Sequence, residues 1–155
     1  MGAPNSPVWI KADGVGVDAT LDFLRANGLD KLVDGYGLHY YPNAKDAAGR
    51  LSQLKENGVD DECRPLGSAR GKPCWITEWG VNGVTGTCPA IDDSNRLKLV
   101  GEVRRFFGQL ATEGRLKGLF FYTWQGGVHA ENEDYRSAFR CGALTGSGRL
   151  ALAPM

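Results

Sequence analysis

The chain has 155 residues, 18 Lys plus Arg balanced by 18 Asp plus Glu, and 22 glycines. Its length suits one compact domain over residues 1–155, and a balanced charge attracts neither nucleic acid nor an anionic membrane. No window of about 18 apolar residues predicts a transmembrane helix, and the N-terminus lacks the pattern of a signal peptide.

Helix and strand patterns alternate along the chain. Asp18 can cap a short helix that Asn27-Gly28 ends, and an aromatic run closed by Pro42 predicts a strand from about Val33 to Tyr41. The later predicted elements are a helix from Asn43 to Gly58, a strand Pro73–Trp79, a helix from Asp92 to Gly114, a strand Lys117–Trp124, a short helical stretch near Tyr135–Phe139, and a turn-like tail over 146–154.

This alternation indicates a parallel sheet. Parallel sheets carry their functional groups at the carboxyl ends of the strands, whether the sheet is open or closed. His39 and Tyr41 stand near the end of one predicted strand, Glu78 near the end of the next, and Trp124 at the end of the last. These four residues are therefore the candidate functional residues.

Glu78 stands near the end of an otherwise apolar strand. A carboxylate in such surroundings is partly desolvated and needs partners. If the strand face that carries Glu78 is the interior face of a barrel, the carboxylate points into the mouth of that barrel. The alternative is a glutamate at a strand end that forms a salt bridge and has no catalytic role. Because side chains alternate along a strand, we expect one face of Cys74, Ile76 and Glu78 and another of Trp75, Thr77 and Trp79.

The side chains of His39, Tyr41 and Trp124 are suited to contacting a sugar ring. His39 and Tyr41 are two residues apart and share a face, so the imidazole and the phenol can hydrogen-bond sugar hydroxyls, and the phenol can also orient a carboxylate nucleophile. The indole of Trp124 offers a flat apolar surface with one N–H donor at its edge, which suits the C–H face of a sugar. Packed core aromatics with one satisfied histidine are the alternative interpretation.

Three segments, in order and at the right spacing, resemble a known family. Trp75-Ile76-Thr77-Glu78-Trp79-Gly80 is similar to the seventh strand, which carries the nucleophile, of the retaining glycoside hydrolases with a (β/α)8 barrel. That clan includes cellulase-like endoglucanases, mannanases and β-xylosidase-like enzymes. Gly37-Leu38-His39-Tyr40-Tyr41-Pro42 is similar to its sixth strand, and Phe121-Tyr122-Thr123-Trp124 to its eighth.

The resemblance covers nearly the whole chain and implies its fold and site. It implies an α/β fold, a partial (β/α)8 TIM barrel of about strands 6 to 8 with their helices, which is the C-terminal half of a glycoside hydrolase. It implies that Glu78 is the nucleophile and that Tyr41 hydrogen-bonds it. By the same resemblance His39 positions substrate or the acid/base, Trp124 floors the subsite beside the scissile bond, and Trp79 joins the substrate-binding set. The implied reaction hydrolyses O-glycosyl bonds of a β-linked oligo- or polysaccharide with retention and no cofactor.

The chain departs from the family in its general acid/base. Retaining enzymes need two carboxyl groups about 5–5.5 Å apart, and the family's second one ends the fourth strand as an Asn-Glu pair. Asn132-Glu133 lies in a polar loop instead, where a solvated charge is expected. The chain is therefore a truncated hydrolase sequence, a half-barrel that pairs with a missing N-terminal half or a second copy of itself, or a degenerate remnant.

Two other classes of function stay open on the sequence alone. A non-catalytic carbohydrate-binding module would use His39, Tyr41 and Trp124 without cutting the sugar. An open α/β protein of flavodoxin-like or nucleotide-binding type is disfavoured, because neither G-x-G-x-x-G nor G-x-x-x-x-G-K-[ST] follows a predicted strand.

Four cysteines, at 63, 74, 88 and 141, lack C-x-x-C spacing and form either free thiols or two disulfides of undetermined pairing. No His/Asp/Glu cluster indicates a metal site. If the parent enzyme that the resemblance implies is secreted or periplasmic, oxidation of the cysteines to disulfides is favoured. The expected pairs are then Cys63 with Cys74 and Cys88 with Cys141. The sequence names neither the sugar nor the endo or exo mode.

Overall fold

The computed structural model describes residues 2–3, 17–40, 59, 62–81, 94–124 and 137–155. The predicted helix from Asn43 to Gly58 lies outside these residues, as do Tyr41, Cys88 and Asn132-Glu133. The elements are β1 (Gly2–Ala3), α1 (Val17–Ala26), β2 (Tyr36–Tyr40), β3 (Cys74–Trp79), α2 (Ser94–Thr112), β4 (Leu116–Phe121), β5 (Phe139–Arg140), β6 (Ala143–Leu144) and α3 (Gly146–Leu152), with a 3₁₀ turn at Leu29–Lys31.

The main sheet has the strand order β1-β2-β3-β4, and every neighbouring pair in it is parallel. The predicted α/β class with a parallel sheet is therefore confirmed. Among the described strands of this sheet, each pairs with the next one along the chain, and none of them shows the reversal of order that marks the switch point of a doubly wound sheet. That this sheet is part of a (β/α)8 barrel stays a prediction.

Glycines end both long helices where the sequence predicts. Gly114 has a positive φ of 71°, and the amides of Gly114 and Arg115 donate to the carbonyls of Ala111 and Leu110. This is the Schellman arrangement, which favours glycine because a Cβ is strained at positive φ. At the end of α1, Gly28 has a φ of 92°.

Two predictions near the C-terminus are wrong. Phe139, expected at the end of a short helical stretch, lies in β5, which forms a small antiparallel hairpin with β6. The tail expected to be turn-like contains α3, whose start is capped by the Thr145 hydroxyl accepting from the Gly148 amide at 2.9 Å. Gly148 lies tight against Ala138, where an added Cβ would be 2.4 Å from its carbonyl oxygen. Tertiary packing against the hairpin therefore outweighs the low helix propensity of glycine.

The core lies between the sheet and α2. Phe107, at the centre of α2, has no exposed surface and meets Tyr40 and Trp79 edge to face, at centroid distances of 6.3 Å and 5.7 Å. The other buried apolar residues of α2 are Leu99, Val100, Val103 and Leu110. The helix thereby covers one face of the strands, as parallel sheets require.

Cysteine pairing agrees with the expectation where it is described. Cys63 and Cys74 form a disulfide that joins the start of β3 to the chain preceding it. Cys141 is also disulfide-bonded, and its expected partner Cys88 lies outside the described residues. The two-disulfide interpretation is favoured over four free thiols, since no cysteine is free among the described residues.

A buried polar cluster lies at the amino end of β2. The Arg25 guanidinium pairs with the Glu62 carboxylate, and both side chains are nearly inaccessible. Arg25 Nε also donates to the Tyr36 hydroxyl at 2.9 Å, and that hydroxyl donates to Asp30. Burial, together with the hydrogen bond to Asp30, raises the pKa of Tyr36 to about 12 against the opposing effect of Arg25.

This raised pKa predicts a loss of stability in alkali. The folded state holds the Tyr36 proton more tightly than the unfolded state, whose ordinary pKa is 10.0. The Tyr36 contribution is therefore fully present below about pH 10 and is lost as the pH rises through about 12. Urea unfolding at several pH values should show a steeper alkaline fall for the wild type than for Tyr36→Phe. Parallel curves would contradict the assignment.

Candidate functional site

The face of the sheet away from α2, here called the far face, carries the candidate site. Its described residues include His39, Trp75, Thr77, Glu78, Gly118, Phe120 and Tyr122. The Trp75 ring lies across both neighbouring strands, since a Cβ added at Gly35 or Gly118 would be 2.2 Å or 2.7 Å from it. This close approach requires glycine at both positions. The polar residues of the far face lie nearer to the carboxyl ends of the strands than the Trp75 ring does.

A β-bulge in β3 determines which side chains reach the far face. Ile76 is in register with Leu38 of β2 and Leu119 of β4, and Trp79 is in register with Tyr40 and Phe121. Between these two levels β2 and β4 have one residue each, whereas β3 has two, Thr77 and Glu78. Both of those residues therefore lie on the far face, because one extra residue reverses the alternation beyond it.

The predicted faces of β3 are accordingly wrong in part. Cys74 and Ile76, expected to share a face with Glu78, are fully buried on the side of α2. Trp79, expected on the face of Trp75 and Thr77, is also fully buried on that side. Strict alternation fails at the bulge, which the residue types alone do not reveal.

Glu78 and His39 meet on the far face near the carboxyl ends of adjacent strands. His39 Nδ1 lies 3.5 Å from Glu78 Oε2, and the two side chains are 32% and 35% exposed. The carboxylate therefore remains reachable from outside while an imidazole stands beside it.

Trp124 provides an accessible aromatic surface beyond the end of β4. Its ring is 56% exposed and stacks on Phe139, with a centroid distance of 5.4 Å and an interplanar angle of 11°. The hairpin strand β5 thus supports one side of the indole, and the Phe139 amide donates to the Trp124 carbonyl. Tyr41, predicted to orient Glu78, lies outside the described residues.

Trp79 occupies a different position from the other predicted substrate-binding residues. Its indole is packed edge to face between Phe107 and Phe121, and its N–H finds no hydrogen-bond acceptor among the described residues. A ring enclosed in this way offers no surface to a ligand. We therefore assign Trp79 to the core rather than to the substrate-binding set.

Two residues of the far face were not singled out from the sequence. Thr77 donates from its hydroxyl to the Leu38 carbonyl at 3.2 Å, and Tyr122 follows β4 with its ring 40% exposed. The sequence signal for Tyr122 was its spacing of two residues from Trp124 along the predicted strand. Nothing in the sequence around Thr77 indicates a bulge. Within the described ranges, no group of three or more His, Cys, Asp or Glu side chains could hold a metal ion, and no helix is long and apolar enough to cross a membrane.

The fold and the site together define an α/β domain with a parallel sheet and a polar, aromatic-flanked site at its carboxyl edge. A scan against protein-family models and searches of curated proteins and of solved structures found no match to the chain.

Proposed function

We propose that the chain supplies the nucleophile side of the active site of a retaining β-glycoside hydrolase, as its resemblance to the C-terminal half of such a barrel implies. The observation that carries the proposal is the partly exposed Glu78 carboxylate beside His39, at the carboxyl end of a parallel sheet. Trp124, accessible beyond the neighbouring strand, adds a surface for a sugar ring.

In this proposal a Glu78 oxygen attacks the anomeric carbon, the bond to the leaving oxygen breaks, and a glycosyl ester forms on the enzyme. Water then attacks the same carbon and releases Glu78 as the free carboxylate. In this proposal His39, whose Nδ1 lies 3.5 Å from Oε2, helps to orient the carboxylate. A nucleophile held in position loses less entropy on the way to the transition state.

The proposal requires a second carboxyl group as acid/base. Of the residues described at the carboxyl ends of β2, β3 and β4, Glu78 is the one carboxylate. We propose that a missing N-terminal half-barrel or a second copy of this chain contributes the other. The substrate class is a β-linked oligo- or polysaccharide.

The nucleophile can be tested without the acid/base. A dinitrophenyl group leaves as a stable anion and needs little protonation, so a dinitrophenyl fluoro-β-glycoside should label the carboxylate directly. We expect a burst of about one dinitrophenolate per chain, and mass spectrometry of peptides should place the sugar on Glu78. Glucosides, mannosides and xylosides should be compared.

Two variants control the labelling. Glu78→Gln keeps the shape of the side chain and should take no label, while Glu113→Gln removes a carboxylate that is exposed and paired with Arg115 near the end of α2 and should label like the wild type. Label on another residue, or no label with any sugar, would contradict the proposal.

A second candidate is a carbohydrate-binding protein without catalysis, favoured by the one carboxylate described at the site. It predicts binding of an oligosaccharide, measured by calorimetry, that Trp124→Ala abolishes and Glu78→Gln leaves intact. Binding of this kind without any covalent label would select it over the hydrolase.

A further inference from the structure

The extra residue in β3 has a consequence for the chemistry of the site. If β3 continued in register past Ile76, Thr77 alone would stand opposite His39 and Phe120 on the far face. Glu78 would then occupy the level of Tyr40 and Phe121, inside the core. A shift of one residue moves every later side chain to the opposite face.

The register shift therefore exchanges the surroundings of two residues. It brings Glu78 to the far face, 35% exposed, and gives Trp79 its fully buried position against Phe107. An unbulged strand would bury an ionised carboxylate and expose a tryptophan, and both changes are unfavourable. The core contacts of Trp79 thus favour the same register that presents the carboxylate.

Thr77 makes a contact that supports the bulge. Its hydroxyl donates to the carbonyl oxygen of Leu38, on the neighbouring strand, at 3.2 Å. Leu38 and His39 are the residues of β2 between which the register shifts. A side-chain hydroxyl thus links the two strands at the step where their regular pairing is interrupted.

From this geometry we infer that Thr77 is a positioning residue: its hydroxyl holds the bulge that presents the Glu78 carboxylate on the far face and keeps Trp79 in the core. The catalytic consequence rests on the proposed function, whereas the structural consequence does not. Replacing the hydroxyl by a methyl group removes the link to Leu38 and narrows the free-energy gap between the bulged strand and its in-register alternative.

The test compares Thr77→Val, which removes the hydroxyl, with Thr77→Ser, which keeps it. Hydrogen exchange of the Trp79 indole N–H, assigned by its loss in Trp79→Phe, reports how often β3 leaves the bulged register. We expect exchange about tenfold faster in Thr77→Val, corresponding to the loss of one hydrogen bond, and wild-type exchange in Thr77→Ser. Labelling of Glu78 by the activated glycoside should slow in the valine variant and recover in the serine variant.

Thr112→Val is the matched control, since it removes a hydroxyl that donates to the Gly108 carbonyl at 3.0 Å on the surface of α2. It should change neither readout. If Thr77→Val does not fold, Thr77→Ala removes the hydroxyl without the added methyl group and is measured instead. Unchanged indole exchange in the variants that lack the hydroxyl would overturn the inference. Absence of labelling in every protein, with the expected exchange pattern, would count against the hydrolase proposal and leave the role of Thr77 supported.

Discussion

Replacing Glu78, the proposed nucleophile, by alanine should lower the release of dinitrophenolate from a matching β-glycoside by about a thousandfold or more, because in the proposed mechanism no nucleophile then remains at the anomeric carbon. Azide should restore the reaction, since the small anion fits the space left by the carboxylate. It attacks the carbon from the side that Glu78 used and displaces the aryl group. The product should therefore be the α-glycosyl azide, identified by NMR.

The configuration of the azide product separates a nucleophile from other roles. An acid/base variant would keep the glycosyl ester, and azide would then yield the β-glycosyl azide by a second displacement. Glu78→Gln fills the cavity and should show no rescue. Because Glu78 is partly exposed, neither substitution should change the free energy of unfolding by more than about 1 kcal/mol. Full activity in Glu78→Ala without azide would refute the nucleophile assignment.

Truncating Phe107 to alanine should lower the free energy of unfolding by about 3–5 kcal/mol, the range for removing a buried aromatic ring. Phe107 has no exposed surface, and its ring contacts both Tyr40 and Trp79. These two residues are the last of β2 and β3, at the carboxyl edge of the sheet, and they follow His39 and Glu78 in sequence. The change should therefore also accelerate indole exchange at Trp79.

Phe120→Ala is the matched control for Phe107, because it removes the same ring from the far face, where Phe120 is 56% exposed. Urea unfolding should show a loss of about 1 kcal/mol or less. A loss below about 1 kcal/mol in Phe107→Ala would mean that α2 does not pack on β3 as described. A large loss in Phe120→Ala would instead indicate that the far face is covered in solution.

Much of the fold could be predicted because local patterns carry it. The aromatic run before Pro42 and the apolar run before Trp79 indicated β2 and β3, and the residue type of Gly114 marked the end of α2, where the structure gives it a positive φ. The short C-terminal elements were mispredicted because α3 depends on tertiary contacts, with α2 and with Ala138, the residue before β5. Gly148, a poor helix residue, is needed where α3 touches Ala138.

For the candidate site, the sequence predicted the strands that carry the residues but not the faces on which they lie. Glu78, His39 and Trp124 were selected because they stand near the ends of strands, and the first two lie side by side. Trp79 was misplaced, since the sequence has no mark for an extra residue in β3. A bulge depends on pairing with both neighbouring strands, and those partners are distant along the chain.

By itself, the sequence determined the α/β class and the strands that carry the polar residues, with Glu78 near the end of one of them, because hydrophobic periodicity and glycine stops act over a few residues. Only the tertiary structure decided which face Glu78 occupies, that Trp79 belongs to the core, and that Thr77 links β3 to β2. Those outcomes depend on the register between strands and on the cost of burying a carboxylate instead of an indole.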